Sequence, residues 1–199
     1  MNKRILTVVM SLFLVTVTLD GLNAQVLPLR EQAKLIDEVI DDRLNNLLPQ
    51  LMEKTGIDMW VMITREYNED PIVKTMLPAT WISARRTTML VFYYNPTTKE
   101  YTKSAVARYN VGSSIKAAWD MTKYPDQWDA LMALVNKHQP NKIGLNISKS
   151  FGHADGLDHT EHEQFMQKLP ATYKSKVVSS EPLAVAWLET RTAREMQYY

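Results

Sequence analysis

The stretch Gly56-Ile57-Asp58-Met59-Trp60-Val61-Met62-Ile63-Thr64 decides the class of fold. A glycine at its head ends a preceding helix, because the left-handed conformation that closes a helix carries no Cβ penalty there. The residues that follow are an almost unbroken apolar run, too short for an ordinary helix. Such a run predicts a strand buried on both faces, as at the centre of an α/β sheet; a strand with one wet face would alternate apolar and polar residues instead.

Upstream, Leu35, Ile36, Val39, Ile40, Leu44, Leu47, Leu48, Leu51 and Met52 recur on one face of a helix that starts near Leu29. Pro49 is expected to kink this helix or to start a second one. Asp37, Glu38, Asp41 and Asp42 fall on the other face, which reads as a solvated surface rather than a cation site. Downstream, residues 65–86 form a long irregular segment with Pro71 and Pro78. A second strand follows at Thr87–Tyr94, then a turn at Asn95–Lys99 and a hairpin partner at Glu100–Tyr109.

Further on, Pro125 suits the first position of a helix with an apolar stripe of Trp128, Leu131, Met132 and Val135. Lys137 and His138 fall in its last turn, where positive charge suits the helix dipole. A strand is expected at Lys142–Ile147. Asp158 with Glu161 reads as a capping box for a helix through Lys168. A short strand at Ser175–Ser179 and a short helix at Glu181–Leu188 follow, and Thr190–Tyr199 has the pattern of a further helix. Strands alternating with helices, plus one hairpin, predict an α/β domain with a mixed β-sheet flanked by helices.

Composition narrows the function classes. The chain has 199 residues, 23% charged and 45% hydrophobic, which is a normal globular balance. A formal charge of +1 supplies no field to attract a polyanion, so no nucleic-acid partner is expected. The absence of cysteine excludes disulfides, thiolate metal sites, a cysteine nucleophile and a lipoprotein anchor. Lys3 and Arg4, the uncharged run Ile5–Leu19 and the small residue Ala24 have the layout of a secretory signal peptide over 1–24, cleaved before Gln25. The run falls short of the ~20 residues that a bilayer span needs, so no membrane attachment is expected after cleavage. Loss of Lys3, Arg4 and Asp20 leaves a neutral, exported domain, periplasmic or secreted.

Three groups of residues invite a chemical reading. His153, His159 and His162 lie among Asp155, Asp158, Glu161 and Glu163. His159 and His162 share a helix face, a workable metal spacing. Yet the order is not HExxH, and Asp158 and Glu161 are already explained by the cap, so surface histidines are the expectation. Arg65-Glu66-Tyr67-Asn68-Glu69-Asp70-Pro71 follows the buried strand, where α/β proteins place functional loops, and Trp81-Ile82-Ser83-Ala84-Arg85-Arg86 precedes the next. These two segments could line a cleft, or could be packed loops with Arg85 or Arg86 paired to Glu66, Glu69 or Asp70. Asn146-Ile147-Ser148 matches a glycosylation sequon but falls at a strand end and reads as chance. The 11 methionines are scattered and read as core filler. No phosphate loop, dinucleotide fingerprint or serine nucleophile elbow occurs.

Three segments together resemble one family: Gly56 to Pro71, Leu77 to Phe92, and Lys142 to Ser148 with Ala154-Asp155-Gly156-Leu157 after it. They are similar to the N-terminal domain of exported bacterial Xaa-Pro aminopeptidases and prolidase-like proteins of the creatinase group. Trp187 to Met196 looks like that family's junction with its catalytic domain. The resemblance implies a ribonuclease-H-like mixed sheet, a non-catalytic domain over 25–188, and a linker with the start of a catalytic domain over 189–199. It implies no catalytic or metal-binding residue in this chain. Two divalent metals (manganese, cobalt or zinc) belong to a C-terminal domain that supplies two Asp, one His and two Glu. The domain here is then expected to support a homo-oligomer and to limit entry of short proline-containing peptides, with Tyr67, Asn68, Trp81 and Arg85 as the substrate-access edge. A free-standing periplasmic binding or interaction module of the same fold is the alternative, and a small metalloenzyme built on the histidine cluster is a third reading.

Overall fold

A computed structural model describes residues 26–198; the expected signal peptide lies outside them. The chain divides into two units, Met1–Gln32 and Ala33–Tyr199. The account below concerns the second and, of the first, only the residues that open the first helix.

That helix, α1 (Leu29–Asp42), passes through a π-helical turn at Arg43–Leu47 into α2 (Leu48–Thr55). The wider turn is how the chain absorbs Pro49. A proline has no N–H to give and its ring crowds the carbonyl four residues back, and a π-bulge removes that demand without breaking the rod. Gly56, at φ +66°, closes α2 in the left-handed region.

The strands are β1 (Met59–Arg65), β2 (Thr87–Tyr94), β3 (Tyr101–Val106), β4 (Lys116–Ala117), β5 (Ile143–Leu145) and β6 (Val177–Ser179). They form one six-stranded mixed sheet in the order β4-β3-β2-β1-β5-β6. β1 pairs antiparallel with β2 and parallel with β5, so it sits at the centre. Its first six residues are all buried. The side chains alternate between two apolar layers, with Trp60 and Met62 on one face and Met59, Val61 and Ile63 on the other. The first layer packs against α2 and α7 (Glu181–Glu189), through Leu48, Leu51, Leu183 and Trp187. The second packs against α4 (Gln127–His138) and α5 (His159–Lys168), through Leu131, Val135 and Phe165. The expected α/β class with a mixed sheet flanked by helices is therefore the architecture. Among the methionines, Met52, Met59, Met62, Met76, Met89 and Met132 are buried, as core filler should be.

Several elements depart from the sequence pattern. α4 begins at Gln127, not at Pro125, because the Asp126 carboxylate takes the Trp128 amide and so makes Asp126 the N-cap. Lys137 and His138 do fall in the last turn of α4, and His138 also packs. It stacks on Tyr93 with ring centroids 4.2 Å apart, and burial, with Lys137 beside it, lowers its pKa. Residues 190–198 form a single 3₁₀ turn, Glu195–Gln197, opened by reciprocal bonds between Thr192 and Glu195. The acidic face of α1 is not simply solvated. Asp37 accepts the Ala79 amide at 2.8 Å, Asp41 holds Ser113 and Ser114, and Glu38 pairs with Arg194. Loops that end near α1 bring unsatisfied donors to it, which no local pattern in α1 announces. Two short helices, α3 (Pro71–Lys74) and α6 (Ala171–Lys174), complete the fold.

Candidate functional site

At the end of β1 the chain reverses sharply. Tyr67 takes φ +67°, the Asn68 amide donates to the Arg65 carbonyl at 3.0 Å, and the Tyr67 ring stands 84% exposed. A bulky residue in the left-handed region is strained, and such strain concentrates where a side chain must be presented in one direction. The segment before β2 is clasped to this loop. The Glu66 amide donates to the Arg86 carbonyl at 2.7 Å, and the Arg86 amide donates to the Glu66 carboxylate at 3.1 Å. The amides of Tyr67 and Ala84 both reach one oxygen of Glu69, at 3.0 and 2.9 Å. The two segments expected to form an edge therefore do meet, but through backbone donors. The arginines do not form the ion pairs weighed above. Arg85 lies over the Trp81 ring at 4.6 Å, with Tyr109 edge-on to Trp81 at 5.9 Å. Ile82, between them in sequence, is 96% exposed. Tyr67 and Ile82 are the two large side chains that this rim exposes most.

Asn68 does not point free. Its amide donates to Asp158 at 3.2 Å, and Arg65 donates to the same oxygen at 3.2 and 2.7 Å. The other Asp158 oxygen takes the Glu161 amide at 3.1 Å, so Asp158 is the N-cap of α5 as expected. The return bond of a full capping box is absent. Glu161 turns instead to Arg65, 2.9 Å away.

Behind the rim lies a buried polar hub. Asp70, 1% exposed, accepts the amides of Ile72 and Val73 with one oxygen and so starts α3. Its other oxygen accepts the Asn146 amide at 2.7 Å. The Asn146 carbonyl in turn takes the Trp60 indole at 2.7 Å and the Ser180 hydroxyl at 2.5 Å. Burial pushes the Asp70 pKa up, against the pull of these donors. Asn146, also 1% exposed, is closed to glycosylation in the folded chain. Gly156 packs directly on Asp70, with no room between them for a Cβ.

Trp81 also borders a cleft of about 580 Å³. Leu35, Val39, Leu77, Trp187 and Leu188 supply apolar walls. Arg43, buried beside it, lies 4.3 Å from the Trp187 ring and 2.7 Å from Glu195, and also donates to the carbonyls of Thr190 and Trp187. The apolar stripe that runs from Leu35 to Met52 thus changes use along its length. Leu44 and Leu47, in the π-helical turn, enter the core, whereas Leu35 and Val39 line the cleft.

No known protein family, curated protein or solved structure matches this chain. The site therefore rests on its own geometry. His153 and His159 are exposed, His162 is half-buried, and His159 lies 3.5 Å from Glu163. Among the described residues no three metal-ligating side chains converge. Replacing His153, His159 and His162 together by Ala is expected to change stability by no more than ~0.5 kcal/mol. Thermal unfolding checks this, and a stoichiometric zinc lost in the triple variant would contradict it. The hub and the Arg43 pairing went unseen in the sequence. Asp70-Pro71, an N-cap followed by proline, was the one local signal available.

Proposed function

We propose that this chain is the N-terminal, non-catalytic domain of a metallohydrolase of the creatinase, prolidase and aminopeptidase P group, with a ribonuclease-H-like sheet. Its part is to govern how short proline-containing peptides reach a two-metal centre held by a separate C-terminal domain. The three resembling segments support the family. One structural observation carries the non-catalytic role. An open α/β sheet usually takes its ligand in the crevice at the carboxyl ends of its parallel strands. Here the ends of β1, β5 and β6 converge on the Asp70–Asn146–Ser180 hub, whose polar atoms bond to each other and to Trp60. Those side chains fill the crevice, and this reading assigns contact with peptides to the exposed rim of Tyr67, Asn68, Trp81, Ile82 and Arg85.

A second reading, an exported binding module of the same fold, is favoured by the cleft beside Trp81. The test has two arms. The purified chain is expected to show no turnover of Xaa-Pro peptides with or without manganese, cobalt or zinc, since a two-metal site needs carboxylates converging on metals ~3.5–4 Å apart. Metal-dependent turnover by this chain would overturn the reading. In the protein that carries the catalytic domain, Trp81→Ala and Tyr67→Ala are expected to shift preference among peptide lengths by about tenfold, ~1.4 kcal/mol in the transition state, with metal content unchanged. Wild-type length preference in both variants would exclude an access role.

A further inference from the structure

The cluster that fastens the rim to α5 contains more negative charge than its donors satisfy. Among the described residues Arg65 is the cation that meets it, and two carboxyl groups face Arg65. Asp158 is held as an anion, taking Arg65 and Asn68 on one oxygen and only the Glu161 backbone amide on the other, which leaves that oxygen able to accept again. Glu161 is 6% exposed. One of its oxygens meets Arg65, and the other, Oε2, is buried with no donor among the described residues. A carboxylate oxygen buried without a donor is costly, whereas a protonated carboxyl needs only an acceptor, and an anionic neighbour is the best one available. The same Arg65 Nε lies 3.2 Å from Asp158 and 2.9 Å from Glu161, which sets the two carboxyl groups side by side, and a bond between two carboxyl groups requires a proton on one.

We propose that Glu161 holds a proton against Asp158 and that this proton is a latch: while it is bound, α5 grips Arg65 and Asn68, and when it leaves, the Tyr67–Asn68 loop is released from α5. Ionised, Glu161 repels Asp158 and competes with it for Arg65, so the bonds that fix Asn68 weaken together.

Most of the neighbouring charged groups are otherwise occupied. Glu66 and Glu69 on the loop take backbone amides. Asp70, packed behind Gly156, is held by Asn146 and two amides. On α5 itself, His159 and Glu163 meet each other, and His162 is half-buried. From α4, Asp126 and Asp129 meet Lys168 at the far end of α5.

Burial first, then Asp158, pushes the Glu161 pKa up to about 7, with Arg65 opposing. Because the folded value lies above the unfolded one, the folded chain keeps a proton that the unfolded chain has lost. Stability from this group is therefore full below the ordinary glutamate range, falls as pH rises from there to about 7, and is flat beyond it. The inference concerns the loop's attachment and holds whether or not the loop gates peptides.

The experiment is a carboxyl-carbon NMR titration of the purified chain, with the Asn68 side-chain amide followed alongside and its hydrogen exchange corrected for intrinsic pH dependence. The Glu161 carboxyl is expected to titrate near 7. The Asn68 side-chain amide should move with the same midpoint and lose about tenfold of its protection above it. In Glu161→Gln, whose amide can donate to Asp158 at every pH, the Asn68 signal should stay at its low-pH position. In Asn68→Ala the loop strap is cut, yet the Glu161 midpoint should persist. A Glu161 midpoint in the ordinary glutamate range would overturn the proposal. So would a neutral-pH transition at Asn68 that survives in Glu161→Gln.

Discussion

Gly156→Ala is expected to destabilise the protein by about 3 kcal/mol or more, the upper part of the range for an overpacked core. A Cβ at this position would lie 2.7 Å from the Pro71 ring and nearer still to the Asp70 carboxyl group. Neither neighbour can move aside. Pro71 is the first residue of α3, and Asp70 is tied to two amides of that helix and to Asn146. Relief has to come from shifting α3 or the loop before α5. Gly152→Ala is the control, since a Cβ there meets nothing within 4 Å, and it should change stability by no more than ~0.5 kcal/mol. Urea unfolding of the two variants measures the difference. Equal midpoints would mean that the loop gives way freely and that the hub is not rigid.

The second large effect is expected at Asn146. Asn146→Ala leaves the Trp60 indole, the Ser180 hydroxyl and one Asp70 oxygen without their partner in a buried site. Each such loss costs ~1–3 kcal/mol, and because the groups share one cavity a total of about 4 kcal/mol is expected, less if water enters. Asn146→Asp separates shape from charge. It keeps the volume and the acceptor for Trp60 and Ser180, but sets a second carboxyl against Asp70, whose pKa burial already raises. One proton shared between two carboxyls satisfies them at low pH. Stability of this variant should therefore fall relative to wild type as pH rises from about 4 to 7, the sign set by a folded pKa above the unfolded one. Unfolding curves at several pH values decide it. A loss independent of pH would mean that the hub tolerates the second charge.

The rim shows how far sequence reasoning reached. Position in the chain marks Tyr67-Asn68 as a loop after a buried strand and Trp81–Arg86 as the segment before the next, either a cleft wall or packed loops; only the family resemblance singles out Tyr67, Asn68, Trp81 and Arg85 as an access edge. That the two segments meet was also expected. The means were not: acidic side chains on one loop take backbone amides of the other, and Arg85 prefers two aromatic faces to a carboxylate. A pairing of Arg86 with Glu66 can be guessed from charge, but an amide donor is present at nearly every residue and marks none. Asp158 illustrates the same limit. Its capping role follows from residues three apart in the chain, whereas its second role, holding Arg65 and Asn68, depends on residues about ninety positions away.

What the sequence alone determined is what local physics controls: a central buried strand from the apolar run Ile57–Thr64, the end of α2 at Gly56, the N-cap of α5 at Asp158, the α/β class with a mixed sheet flanked by helices, and a near-neutral composition without cysteine. Each depends on neighbours within about one helical turn or one strand length. Only the tertiary structure decided that Asp70, Asn146, Trp60 and Ser180 form one buried hub, that Gly156 admits no side chain, that the α1 part of the stripe lines a cleft, and that one Glu161 oxygen has no donor among the described residues. The reason is physical. Hydrogen bonds and close packing between distant segments depend on the register and crossing of whole elements, and once buried they must be satisfied by whichever groups that arrangement brings within about 3 Å.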